Sequence, residues 1–156
     1  MIAETSRFGK IKHGKPEIIT MVRGILGFDS YLRFIVVSLK GQEPFKWLQS
    51  LEDPDLAFLM IDPLFFKPDY IVEIHPGDLA ILKTRNINNI AVFVLVSIPK
   101  GQPSLMSANL QAPLVINKDN MNAAQLVLAD SNYNTEHSIF VELERRLAET
   151  SMSDHE

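Results

Sequence analysis

The chain has 156 residues, a formal net charge of −4, four histidines and no cysteine. That length suits one domain whose core needs no disulfide or structural metal, and the missing cysteines exclude zinc-thiolate and thiol-nucleophile chemistry. The opening residues MIAETSRFGK contain no long apolar stretch, and the longest apolar run, Ile90 to Val96, is far too short to cross a bilayer. A cytosolic protein with no membrane attachment is expected.

Most of the chain reads as short strands. Runs of β-branched and aromatic residues, bounded by Gly, Pro, Asp and Asn, predict strands over Ile2–Phe8, Glu17–Met21, Arg33–Ser38, Phe45–Gln49 and Leu56–Ile61, then over Tyr70–Ile74, Ile90–Ile98, Leu110–Ile116 and Gln125–Leu128. So many strands in so short a chain predict a mainly β, antiparallel barrel-like domain, because closure removes exposed edges. His75–Lys83 follows a Pro-Gly-Asp start and predicts a helix of one or two turns. Glu136 to Glu149 predicts a longer C-terminal helix. There Ile139, Leu143 and Leu147 recur every four residues, and Phe140 widens the stripe expected to pack on the barrel. Glu142 precedes Arg146 by four residues, a favourable helical pair. The single domain is expected over 1–150, with a disordered polar tail over 151–156.

The segment 108–117, ANLQAPLVIN, alternates between two sets of positions. Ala108, Leu110, Ala112, Leu114 and Ile116 form one set, and Asn109, Gln111, Pro113, Val115 and Asn117 form the other. Such a period of two predicts a strand with one buried face and one uncharged polar face. Two readings of Asn109 and Gln111 stand open: amides offered to a partner beside flat apolar area, or amides satisfying backbone groups of a neighbouring loop.

Signals for chemistry are few. Gly9–Lys15, GKIKHGK, fits the first seven positions of a phosphate-binding loop. The required Ser or Thr is replaced by Pro16, which has neither a hydroxyl nor an N–H, so a lysine-decorated turn is expected. Arg7, Lys10, Lys12 and Lys15 read as a solvated hairpin rim, not as a nucleic-acid contact, and the acidic balance suits a basic partner. His13, His75, His137 and His155 lack metal-ligand spacing and are expected at the surface, with no metal and no cofactor. Asp62 and Asp69 bracket DPLFFKPD. Acid–base catalysis by that pair is one reading, but Asp next to Pro is ordinary turn chemistry. Leu64, Phe65 and Phe66 are consecutive and cannot all be buried. Either two of them plug the barrel end or they form an apolar contact patch with Asp62, Asp69 and Tyr70. A small-molecule site with Phe65, Phe66 and Tyr70 at its mouth is the alternative function. Trp47 reads as core or as an interface anchor.

The succession TSRFG (5–9), GILGF (24–28), FKWLQS (45–50), LAFLMIDP (56–63), PDY (68–70), AVFVLVSIP (91–99) and ANLQAPLVIN (108–117) resembles the FliW family of flagellar assembly factors, from about Thr5 to about His137. The family's GIPGF has Leu26 here in place of proline, which is expected to loosen that turn. The helix after Ser138 lies beyond the resemblance. The resemblance implies a small β-barrel-like domain that binds and does not catalyse. Its implied partners are newly made flagellin and, in alternation, the RNA-binding translational regulator CsrA, whose repression of flagellin mRNA it would relieve. Asn109, Gln111, Asp62, Phe66, Asp69 and Tyr70 are the residues expected to form the partner-binding surface.

Overall fold

The computed structural model describes residues 1–154, with side chains to residue 149. The expected tail over 151–156 lies outside the residues whose side chains are described. Eleven strands and two α-helices follow in chain order. They are β1 (Ile2–Thr5), β2 (Gly9–Lys12), β3 (Ile19–Arg23), β4 (Arg33–Val37), β5 (Lys46–Ser50), β6 (Ala57–Ile61), α1 (Pro76–Ile81), β7 (Ile90–Ser97), β8 (Ser107–Ala108), β9 (Leu114–Asn117), β10 (Asn122–Gln125), β11 (His137–Ser138) and α2 (Ile139–Asp154).

Strands β3, β4, β5, β6, β7, β9 and β10 close into a seven-strand barrel. Neighbours pair antiparallel except at one seam, where β10 runs parallel to β3 through Asn122↔Thr20 and Ala123↔Met21. The eight-residue β7 divides one edge between two partners. Its first half pairs β9, from Ile90↔Asn117 to Phe93↔Leu114, and its end pairs β8, at Val96↔Ala108 and Ser97↔Ser107. The β1–β2 hairpin stands apart as its own sheet. Arg7 lies 4.3 Å above the Trp47 ring and Phe8 meets its edge, so Trp47 anchors that hairpin. Gly9–Lys15 is therefore strand and turn, with no helix opening on a phosphate.

Alternation along each strand fills the barrel. Ile19, Met21, Phe34, Leu48, Met60, Leu114, Ile116 and Ala123 meet inside it, each almost fully buried. Two further clusters cover the outside. Phe66, Tyr70 and Ile139 pack over Ile61, Val94, Ala108 and Leu110. Leu82, with Val72 and Ile74, packs over Val115, Ala124 and Leu126. Strand β9 is thus buried on both faces. This corrects the expectation of a polar face along 108–117: Pro113, Val115 and Asn117 are as buried as their neighbours.

The strand expected over Ile2–Phe8 ends at Thr5, where the hairpin turn begins, and three later elements differ as well. The predicted strand Leu110–Ile116 begins only at Leu114, because Asn109 folds the chain ahead of it into a turn. The strand expected over Gln125–Leu128 lies at Asn122–Gln125, and Leu126 and Leu128 then donate to the carbonyls of Pro113 and Gln111. The segment Tyr70–Ile74 alternates in burial as a strand does but pairs with no other strand; the Tyr133 hydroxyl takes the place of a ladder partner at Ile71 N–H, at 3.0 Å.

The docking of α2 also corrects an expectation. Ile139 is buried, but Phe140 and Leu143 are more than one-third exposed and Leu147 is 69% exposed. The helix turns Glu142, one turn beyond Ile139, toward the barrel instead. The inward stripe is polar after its first residue, so hydrophobic periodicity picked the wrong face.

The turn at 24–28 shows how the chain accommodates Leu26. Phe28 N–H donates to the Ile25 carbonyl at 2.7 Å, and Gly27 has φ +84°. That is a type II turn, in which the second corner residue needs positive φ and the first favours proline. Leu26 occupies the first corner, and its N–H donates to Gln125 Oε1 at 2.8 Å. A proline there would have no N–H to give. The expected loosening is offset by a bond to a buried side chain of the neighbouring strand β10. Gly24 is required for space, since a Cβ would lie 2.9 Å from the Asp29 Cα.

Candidate partner-binding surface

The segment between β6 and Tyr70 is shaped by its own turn chemistry. Asp62 Oδ1 accepts from Leu64 N–H at 2.9 Å and starts a single 3-10 turn over Pro63–Phe65. Lys67 N–H then closes onto the Pro63 carbonyl at 2.8 Å. This tight turn points three consecutive apolar residues in different directions. Leu64 and Phe65 are each 53% exposed, whereas Phe66 is fully buried. One residue plugs the barrel wall, where two were the expectation, and Phe66 lies inside the surface it was expected to form.

Tyr70 is also buried, and its hydroxyl donates to the Leu110 carbonyl at 2.6 Å. Burial, with Tyr133 beside it, pushes the Tyr70 phenol well above its ordinary range. Asp69 stays at the surface, 3.2 Å from Lys67 Nζ. The hydrogen bond from Lys67 holds its carboxyl below the ordinary carboxylate value. Asp62 and Asp69 are therefore engaged separately, one in a turn and one with a lysine. Phe66 and Tyr70 are buried, Phe65 is exposed, and a cleft of about 440 Å³ beside them is lined by Asp62, Leu64, Tyr70, Val72 and Phe93.

The two amides of ANLQAPLVIN divide between the two readings. Asn109 Oδ1 accepts from the N–H groups of Gln111 and Ala112, at 3.2 and 3.1 Å, and so satisfies its own loop. The Gln111 side chain is half-buried and has no hydrogen-bond partner among the described residues. It is the one of the pair left available to another molecule. Tyr70 on Leu110 brings the 62–70 segment against the 109–113 turn, so the two stretches singled out from the sequence are neighbours.

Sequence reasoning missed two groups. Gln125 bridges distant turns, accepting from Leu26 N–H at 2.8 Å and donating to the Ala112 carbonyl at 3.0 Å. Its visible signal was a glutamine standing between the apolar pairs Ala123–Ala124 and Leu126–Val127. Glu142 is buried and meets three basic side chains: His137 Nε2 at 2.8 Å, Arg145 at 3.5 Å and Lys67 at 3.8 Å. Arg146, expected to pair with Glu142, donates to the Phe65 carbonyl. Together these contacts hold the start of α2 beside Leu64 and Phe65. Two histidines depart from the expected surface placement: His13 is buried, with Nδ1 3.2 Å from the Gly14 carbonyl, and His137 joins the Glu142 cluster. His155 lies outside the described residues. No group of three metal-ligating side chains occurs among the described residues, and none of their helices is long and apolar enough to cross a membrane.

A closed β-barrel with a filled interior, a projecting turn of exposed Leu and Phe, and a helix docked through charge defines a class of small barrel domains whose exterior is their distinctive feature. The family model described as FliW protein matches residues 2–139. The chain is 41% identical to the flagellar assembly factor FliW of Treponema denticola, covering 92% of this chain and 96% of that one. It is 40% identical to the flagellar assembly factor FliW of Alkaliphilus metalliredigens, covering 93% and 90%. A crystal structure of the flagellar assembly factor FliW superposes with a TM-score of 0.83 at 30% identity, covering 90% of this chain and 97% of that one. The chain belongs to the FliW family.

Proposed function

We propose that this protein is a flagellar assembly factor that works by binding, without catalysis, in the cytoplasm. In this reading it holds newly made flagellin and, in alternation, the translational regulator CsrA, and it thereby antagonises repression of flagellin mRNA. Membership of the FliW family across residues 2–139 carries the proposal. The exposed side chains of Leu64 and Phe65, 53% each, support a contact centre of the kind that protein interfaces use. Around it, Asp62, Asp69 and Gln111 supply polar contacts, while Phe66, Tyr70 and Asn109 shape the surface from within. The net charge of −4 favours a cationic partner, and complementary charge speeds encounter.

The experiment is size-exclusion chromatography of the purified protein with cognate flagellin, with CsrA, and with both. Each binary mixture gives a complex, and added flagellin lowers the recovery of CsrA. If neither partner co-elutes at micromolar concentration, the assignment fails.

A further inference from the structure

The segment 71–75 has the pattern of a strand and no strand beside it. Ile71, Glu73 and His75 are exposed, while Val72 and Ile74 face the core over Leu82, Val115 and Leu126. Among the described residues, the N–H groups of Val72, Glu73 and Ile74 and the carbonyls of 71–74 have no hydrogen-bond partner. Across a cleft of about 310 Å³ runs the continuation of β10. There Leu126 and Leu128 donate to the 109–113 turn, so alternation turns the N–H and carbonyl of Val127 the other way, also unpartnered. β10 has lost its neighbour at this point, since β3 ends at Arg23.

The cleft thus has two walls of extended chain with free backbone donors and acceptors. An unpaired strand edge is a template for adding another strand, with backbone bonds giving affinity and alternate side chains giving selectivity. Ile71 is 72% and Val127 54% exposed, which supplies apolar area to alternate residues of an entering segment. The charges select further. Arg23 is matched by Asp78 at 3.7 Å, which leaves Glu73 and Asp130 as a negative excess along the cleft.

We propose that the cleft between 71–75 and 126–131 receives an extended segment of a partner protein, alternating apolar and basic residues, as an added β-strand. This goes beyond the proposed function and does not depend on which protein supplies the segment.

The probe is a synthetic acetylated, amidated octapeptide of alternating Lys and Val, added to the intact protein and read by amide hydrogen exchange and two-dimensional NMR. In the free protein the amides of Val72, Glu73, Ile74 and Val127 exchange rapidly. Saturating peptide slows Val127 and one alternate set of the facing wall, Glu73 or the Val72 and Ile74 pair, by about tenfold or more, because alternate amides of a strand share one edge, and shifts concentrate at 71–75 and 126–131. The same peptide N-methylated at alternate residues loses binding by about tenfold or more, as does an alternating Glu and Val peptide. Val127→Pro removes an N–H that bonds nothing in the protein and abolishes binding; Glu73→Lys with Asp130→Lys weakens it by about tenfold and leaves the fold in place as a second variant. No binding at millimolar peptide, protection elsewhere on the barrel, or equal binding of the N-methylated peptide would overturn the proposal.

Discussion

The bond between Leu26 and Gln125 predicts a specific non-additivity. Replacing Leu26 with proline suits the first corner of a type II turn and stiffens the unfolded chain, a gain of about 0.4–1 kcal/mol. It also removes the N–H that lies 2.8 Å from Gln125 Oε1. Gln125 is only 4% exposed, so its oxygen is left without a partner at a cost of about 1–3 kcal/mol. Leu26→Pro therefore lowers stability by about 1–2 kcal/mol in this chain. Gln125→Leu alone orphans Leu26 N–H and the Ala112 carbonyl, costing about 2–3 kcal/mol. In the double variant there is neither an N–H at 26 nor an oxygen at 125 to orphan. Its loss falls short of the sum of the singles by about 1–2 kcal/mol. Urea unfolding of the four proteins, monitored by Trp47 fluorescence, measures the cycle. Losses that add to within about 0.3 kcal/mol would refute the bond as the reason Leu26 is accommodated.

Three further outcomes follow from the site. Tyr70→Phe removes the buried hydroxyl on Leu110 and costs about 1–1.5 kcal/mol at pH 7. Because the folded-state phenol titrates above its unfolded value, that stability is complete below about pH 10. It is then lost at up to about 1.4 kcal/mol per pH unit, so the two proteins converge near pH 11 in paired urea melts. Asn109→Ala frees two backbone N–H groups of its turn and lowers stability by about 1 kcal/mol, as loss of a helix cap does, measured by thermal unfolding. Leu64→Ser with Phe65→Ser, both on exposed positions, changes stability by no more than about 0.5 kcal/mol and weakens flagellin or CsrA binding by about tenfold or more in calorimetric titration.

Strands with one covered face were legible in the sequence, because period-two alternation encodes that burial; β4, β5, β6 and β7 match their expected spans to within a residue or two. Errors gathered where a second layer covers the sheet. Val115 and Asn117 are buried because α1 and the 72–74 segment lie over them, and no local pattern announces a distant cover. Asn117 looks polar in sequence and is fully used inside, donating to the Leu82 carbonyl at 2.8 Å. The misread helix face has the same origin: Glu142 is turned inward by Lys67 and His137, residues its own helix does not contain. At the candidate surface, turn chemistry was readable in Asp62, but the division of labour among Leu64, Phe65 and Phe66 follows from the geometry of one tight turn. The Asn109 and Gln111 pair needed a loop conformation that composition does not specify.

The parallel seam has a consequence for how the protein comes into being. Residues 19–23 must wait for 122–125 before the wall is complete, and the Leu26 amide waits for a side chain 99 positions downstream. A chain emerging from the ribosome holds an open sheet until most of its length has been made, since ring closure of this kind is among the slowest contacts a fold can require. Copies that terminate before residue 122 would lack the seam altogether, so only longer molecules can present the closed barrel.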